Sequence, residues 1–181
     1  MHTLLSLCHT VISPHYLLFT IHCLLIPVQE KDESKPQPLH EQMMARYKDK
    51  VITDSRSPAG NWMGVTLVHA ERGRVTLSII IKKDMTNPFG NIHGGMMSTF
   101  IDETIGWAVV SLEAEFHYTS LNLNVDFLYA AHEGEKMIAT AEVIRQGKKI
   151  VHVECKVLNA QGTLLAKATS NLINTSMSIK H

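Results

Sequence analysis

Between residues 63 and 81 apolar and polar side chains alternate, as Met63-Gly-Val65-Thr-Leu67-Val-His69 and, after Glu71-Arg72-Gly73, as Val75-Thr-Leu77-Ser-Ile79-Ile-Ile81. A period of two on either side of a short glycine turn predicts a β-hairpin. From Met96 to Leu112 the pattern becomes an apolar run broken mainly by Ser98, Thr99, Asp102, Glu103, Thr104 and Gly106. Its length and lack of proline predict a helix, and one so apolar is buried over most of its length. The period of two then returns at 120–127, 136–145, 149–158 and 164–173, with turns at Gln146-Gly147 and 159–162. Few connections are long enough for parallel crossovers. The expected fold is therefore α+β, one antiparallel sheet curled around a single apolar helix.

Upstream, Leu39, Met43, Met44 and Tyr47 fall near helical spacing and predict a short amphipathic helix over 39–47. Residues 54–61 read as loop. Residues 29–38 form a charged, proline-containing linker that is not expected to pack. Residues 1–28 are apolar, yet no Lys or Arg precedes Lys31, so the positive region of a signal peptide is missing. The run 16–28 contains His22 and Pro27 and falls short of the roughly 20 residues of a membrane span. The expectation is a disordered or non-native extension over 1–38, with an interfacial anchor as the alternative and no stable membrane insertion, a folded domain over 39–176, and a cytoplasmic protein.

Composition removes several function classes. The 181 residues suit one domain with a proper core. With 17 basic and 17 acidic residues the formal net charge is zero, which argues against a nucleic-acid surface. The three cysteines, Cys8, Cys23 and Cys155, form no CxxC pair, and the histidines fall in no HExxH-like spacing. Neither a disulfide framework nor a metal site is expected.

The chemistry concentrates in Asn87-Pro-Phe-Gly90-Asn-Ile-His93-Gly94-Gly95 and the helix after it. The first residues are turn formers, and the paired glycines allow a backbone to approach a ligand. A carboxylate on a buried helix is costly unless it has a partner or a task, which singles out Asp102. Hydrogen bonds to Ser98 or Thr99 are its structural alternative. Glu103 points about 100° away around the helix and ranks second.

This pattern of Asn87, Gly90 and His93-Gly94-Gly95, with Asp102 eight residues beyond Gly94, resembles the PaaI-type hotdog thioesterases. The resemblance covers roughly residues 40–175 and takes in the strand-opening Ser120 and the turn Arg145-Gln146-Gly147-Lys148-Lys149. It implies hydrolysis of an acyl-CoA thioester to a carboxylic acid and CoA, with no cofactor.

It also implies roles. The leading N–H groups of a helix lack intrahelical acceptors and carry the positive end of its dipole. By resemblance the Gly94 N–H receives the oxyanion, with Gly95 beside it at the substrate. Asp102 is implied as nucleophile or general base. Asn87 orients the thioester or water, His93 braces the loop, and Ser120 positions water or substrate. The Arg145–Lys149 turn is expected to meet CoA phosphates, and Phe127 to flank the nucleotide or simply pack in the core. Met96, Phe100 and Trp107 are expected along the acyl pocket.

Eight helical residues separate Gly94 from Asp102 by about 12 Å, too far for both to act on one carbonyl. A two-fold homodimer, alone or within a dimer of dimers, would bring Asp102 of one copy to Gly94 of the other. Two other readings stay open: a hotdog module that binds acyl-CoA without turnover, and a hotdog hydratase or dehydratase.

Overall fold

The computed structural model describes residues 36–178. The extension expected over 1–38 therefore lies, up to residue 35, outside the described residues. The elements run in the order α1 (Leu39–Tyr47), α2 (Pro58–Met63), β1 (Thr66–Glu71), β2 (Arg74–Ile80), a 3-10 turn (Lys83–Met85), α3 (Gly94–Val110), β3 (Phe116–Phe127), β4 (Lys136–Gln146), β5 (Ile150–Asn159) and β6 (Leu164–Ser178). The six strands form one sheet in the order β1-β2-β4-β5-β6-β3, antiparallel throughout. Helix α3 carries the chain from β2 to β3 at the far edge of the sheet, so it has to cross a face of the sheet on the way. Among the described residues no helix is long and apolar enough to cross a membrane.

The core is the face between helix and sheet. Met97, Phe100, Ile101, Thr104, Ile105 and Ala108 of α3 are buried, as are Val75, Leu77 and Ile79 of β2 and Val151, Val153 and Val157 of β5. Beneath the helix several inward positions are small: Ala139 and Ala141 on β4 and Cys155 beside them on β5. Small side chains there let a helix about 10 Å across sit close in the hollow of the sheet.

Two local features depart from the sequence reading. Residues 58–61, expected as loop, and Met63, expected to open the hairpin, fall in α2 (Pro58–Met63). Pro58 occupies its first turn, where a missing N–H costs nothing, and the Ser57 side chain caps it by accepting the Gly60 N–H at 3.1 Å. The first hairpin strand begins and ends later than the alternation implied, the second begins and ends one residue earlier, and β3 starts at Phe116, four residues before Ser120.

Helix α2 is tied to α3 by one carboxylate. Ser57 Oγ donates to Glu103 Oε2 at 2.6 Å, and Trp107 Nε1 donates to Glu103 Oε1 at 2.9 Å. The Glu103 carboxylate lies so close over Gly60 that a Cβ there would sit 2.4 Å from Oε1. With both oxygens engaged, Glu103 has little freedom to retreat. Gly60→Ala should therefore destabilise the fold by about 1–3 kcal/mol, read as a lower urea midpoint with unchanged slope.

Burial also sets the chemistry of Cys155. Loss of hydration pushes its thiol from 9.0 up to about 12. The unfolded chain thus releases this proton first, and stability falls between those two values as pH rises, by up to about 1.4 kcal/mol per pH unit. Urea titrations at pH 8 and pH 10 should show a larger loss for the wild type than for Cys155→Ala, which lacks the group.

Candidate active site

The loop ahead of α3 is built by Asn87. Its Oδ1 accepts the N–H groups of Phe89 at 2.9 Å and Asn91 at 3.2 Å, and its own N–H donates to the Asn91 carbonyl at 2.7 Å. This short-range closure is the usual use of Asn in a turn. Loop and helix start are anchored by Ile92 N–H to the Ala131 carbonyl and His93 N–H to the Met85 carbonyl.

His93 is the N-cap of α3. Its Nδ1 accepts the Gly95 N–H at 3.0 Å, which fixes the tautomer that carries its proton on Nε2. The Met96 and Met97 N–H groups donate to the His93 carbonyl at 2.9 and 3.0 Å. Gly95, expected beside the substrate, thus has its N–H already taken. Among the described residues the Gly94 N–H makes no hydrogen bond. A Cβ added at Gly94 would lie 3.4 Å from Phe127 Cζ, so the aromatic ring covers the place where any larger residue would put its side chain. Phe127 is thereby placed at the helix start. Asn87, Gly94, Met97, Phe127 and Tyr129 share the walls of one cleft of about 300 Å³.

Asp102 is exposed on this chain rather than buried. The sheet covers one side of α3 and leaves a stripe through Gly95, Thr99, Asp102, Gly106 and Val110. Asp102 does not bond to Ser98 or Thr99. Thr99 Oγ1 donates instead to the Gly95 carbonyl at 2.8 Å, and Ser120 Oγ donates to Asp102 Oδ1 at 3.0 Å. Helix and edge strand thus bring Ser120 and Asp102 together, while Gly94 lies about 12 Å away along the unbroken helix. Of the side chains expected along an acyl pocket, Phe100 is fully buried. Trp107 is turned to Glu103 and to the Tyr47 ring, 5.7 Å between centroids. Met96 remains half-buried at the core's edge.

The sequence pattern did not reveal how Ser120 and Phe127 come to share a face. Seven residues separate them, so an unbroken strand would point them to opposite sides. A bulge intervenes: Ser120 pairs with Leu172 but Asn122 with Asn171, leaving Leu121 unpaired and 56% exposed. The extra residue inverts the alternation. Tyr118 before it and Leu123 and Val125 after it all pack toward the core.

The Arg145–Lys149 turn sits elsewhere. Arg72 Nη2 reaches both Gln146 Oε1 and the Leu112 carbonyl at 3.3 Å, which places the turn by the C-terminal end of α3. Gly147 closes it by donating to the Ile150 carbonyl at 2.9 Å. Arg145, Lys148 and Lys149 are exposed around a shallow hollow of about 560 Å³ that His152 and Asn171 also line. One chain therefore keeps the cationic turn and the Gly94 cleft at opposite ends of the helix.

The geometry has close counterparts. Residues 89–166 match the thioesterase superfamily. The human protein named acyl-coenzyme A thioesterase 13 is 30% identical over 132 residues, covering 73% of this chain and 89% of that protein. The structure of Escherichia coli PaaI, from the phenylacetic acid degradation operon, superposes with a TM-score of 0.65 at 20% identity, covering 69% of this chain and 89% of that one. A Streptococcus pneumoniae hypothetical thioesterase solved with coenzyme A gives 0.60 at 23% identity, covering 64% and 88%. By this relationship the chain belongs to the thioesterase superfamily, and its fold is the hotdog fold that PaaI shares.

Proposed function

We propose that the protein hydrolyses acyl-CoA thioesters at sites formed between two copies of the chain. The observation that carries this reading is the pairing of a Gly94 N–H, free of hydrogen bonds among the described residues, with a Ser120-held Asp102 on one helix, about 12 Å apart. Each half is suited to one end of a carbonyl attack, and neither reaches the other within a chain. Two antiparallel α3 helices meeting along the Gly95–Gly106 stripe would join the halves into two equivalent sites. The same apposition would move the cationic turn of one copy toward the Gly94 cleft of the other. The human relative's name gives acyl-CoA as its substrate, and the pneumococcal protein was solved with coenzyme A.

In this mechanism the thioester carbonyl oxygen points at the Gly94 N–H. The Asp102 carboxylate attacks the carbonyl carbon or takes a proton from an attacking water, while Ser120 Oγ fixes its orientation. The oxygen becomes an oxyanion, stabilised by about 3–4 kcal/mol per good donor. Collapse breaks the carbon–sulfur bond and CoA leaves as thiolate. Attack by water gives the acid directly, with the proton held by Asp102 passing to the thiolate. Attack by Asp102 instead gives an acyl–Asp102 anhydride that water then hydrolyses to the acid. Arg145, Lys148 and Lys149 offer cations to the CoA phosphates. His93 is a poor general base here, because its Nδ1 is occupied by the Gly95 N–H. That occupancy favours the hydrolase over a hydratase, which relies on a His–acid pair.

Free-thiol release from a panel of acyl-CoAs tests the proposal. Asp102→Ala should lower kcat by about 10²–10⁴-fold while the protein stays folded and oligomeric. Equal turnover by both proteins would remove Asp102 from the mechanism, and bound but unhydrolysed acyl-CoA would leave a binding module. Assembly has its own test. A Cβ at Gly106 meets nothing of its own chain within 4 Å, so Gly106→Leu should keep the fold yet give inactive monomers by sedimentation.

A further inference from the structure

The β3 bulge is what lets Ser120 face Asp102, and the bulge is held by side chains outside the catalytic set. We propose that Asn122 is a positioning residue, fixing the strand register that presents Ser120 to the Asp102 carboxylate. This inference rests on the assignment of Ser120 and Asp102 to the reaction.

A bulge costs the ladder its regular pairing at one step. Here the Asn122 side chain takes over: its Oδ1 accepts the Asn171 N–H at 3.0 Å and Asn171 Nδ2 at 3.1 Å. The Asn122 carbonyl accepts from Ser170 Oγ at 2.8 Å, and Ser170 is fully buried. Asn122 is thus held at side chain and backbone by two successive residues of β6. The Asn171 amide is itself oriented. Because its Nδ2 donates to Asn122, its Oδ1 accepts, and His152 Nδ1, 2.9 Å away on β5, is the donor. The ladder His152–Asn171–Asn122 therefore spans three strands and ends two residues from Ser120.

The alternative register explains why such a lock is needed. Without the bulge Leu121 would turn toward the core and Ser120 toward solvent. Leu121 is now 56% exposed, so its own burial favours that slip, while the core packing of Tyr118 and the Asn122 hydrogen bonds favour the bulge. An aliphatic side chain at 122 would leave the Asn171 N–H without its acceptor and remove part of the opposition to the slip.

The experiment compares wild type, Asn122→Ala, Asn122→Asp, Ser120→Ala and the Ser120→Ala/Asn122→Ala double variant for kcat and KM in thiol release. Asn122→Ala should lower kcat about ten- to a hundredfold with KM little changed, the effect of misplacing a group at the reacting centre. Asn122→Asp, which keeps an acceptor for both Asn171 donors, should recover most of the rate. On the Ser120→Ala background, removing Asn122 should have no further effect, because its influence runs through Ser120. Unchanged kcat in Asn122→Ala, or the same fold-loss with and without Ser120, would overturn the proposal. A wild-type rate in Ser120→Ala would instead defeat the assignment of Ser120 to the reaction. A crystal structure of Asn122→Ala decides the positioning claim independently of turnover. Loss of the 3.0 Å contact between Ser120 Oγ and Asp102 Oδ1 is expected, and its retention would refute the claim.

Discussion

A helix that is apolar over most of its circumference has to be wrapped, and the covering of α3 governs the rest of this structure. The sheet packs on it with alanines of β4 and a cysteine of β5 among the covering residues. A sheet can enclose only part of a helix, and the part left over is the stripe that carries Asp102. Burial and chemistry are therefore two sides of one element. The residues facing the sheet hold the fold together, and those facing away are left for contact with something else. Placing a carboxylate on that second side avoids the cost of burying it within the chain while keeping it on a rigid support.

Much of this was legible in the sequence because it depends on periodicity. Alternation of two located the strands, the unbroken apolar run located α3, and short connections required antiparallel pairing. The spacing of Gly94 and Asp102 is likewise a property of helix geometry and is readable from residue numbers alone. The parts that were not legible depend on single contacts. Helix α2 forms where loop was expected because Ser57 caps it from the adjoining position and Glu103, 46 residues along the chain from Ser57, anchors it from another element. Asp102 was expected buried because an apolar helix suggests full coverage, whereas the sheet covers one side only. Its hydrogen-bond partner came from β3, not from the neighbouring Ser98 or Thr99.

The β3 bulge marks the limit of pattern reading most clearly. Ser120 through Phe127 alternates so regularly that an unbroken strand is the natural inference, with Ser120 and Phe127 on opposite faces. Nothing local announces the extra residue, because Leu121 is as good a strand former as Leu123. What identifies it is pairing with β6, through Asn171 and Ser170. The placement of the cationic turn is similar: its composition was readable, but its position at the far end of α3 follows from the sheet order and from Arg72.

The His93 cap has a consequence for selectivity. An uncapped helix start is a berth for phosphate, offering several N–H groups to several oxygens. Coenzyme A carries phosphates of its own, which would compete for such a berth. Here the Gly95 N–H is spent on the imidazole and those of Met96 and Met97 on the His93 carbonyl, so a single donor faces outward at Gly94. A lone donor suits one carbonyl oxygen and suits a polyanion poorly. In the reaction proposed above, the cap leaves the helix start one N–H for one oxygen atom.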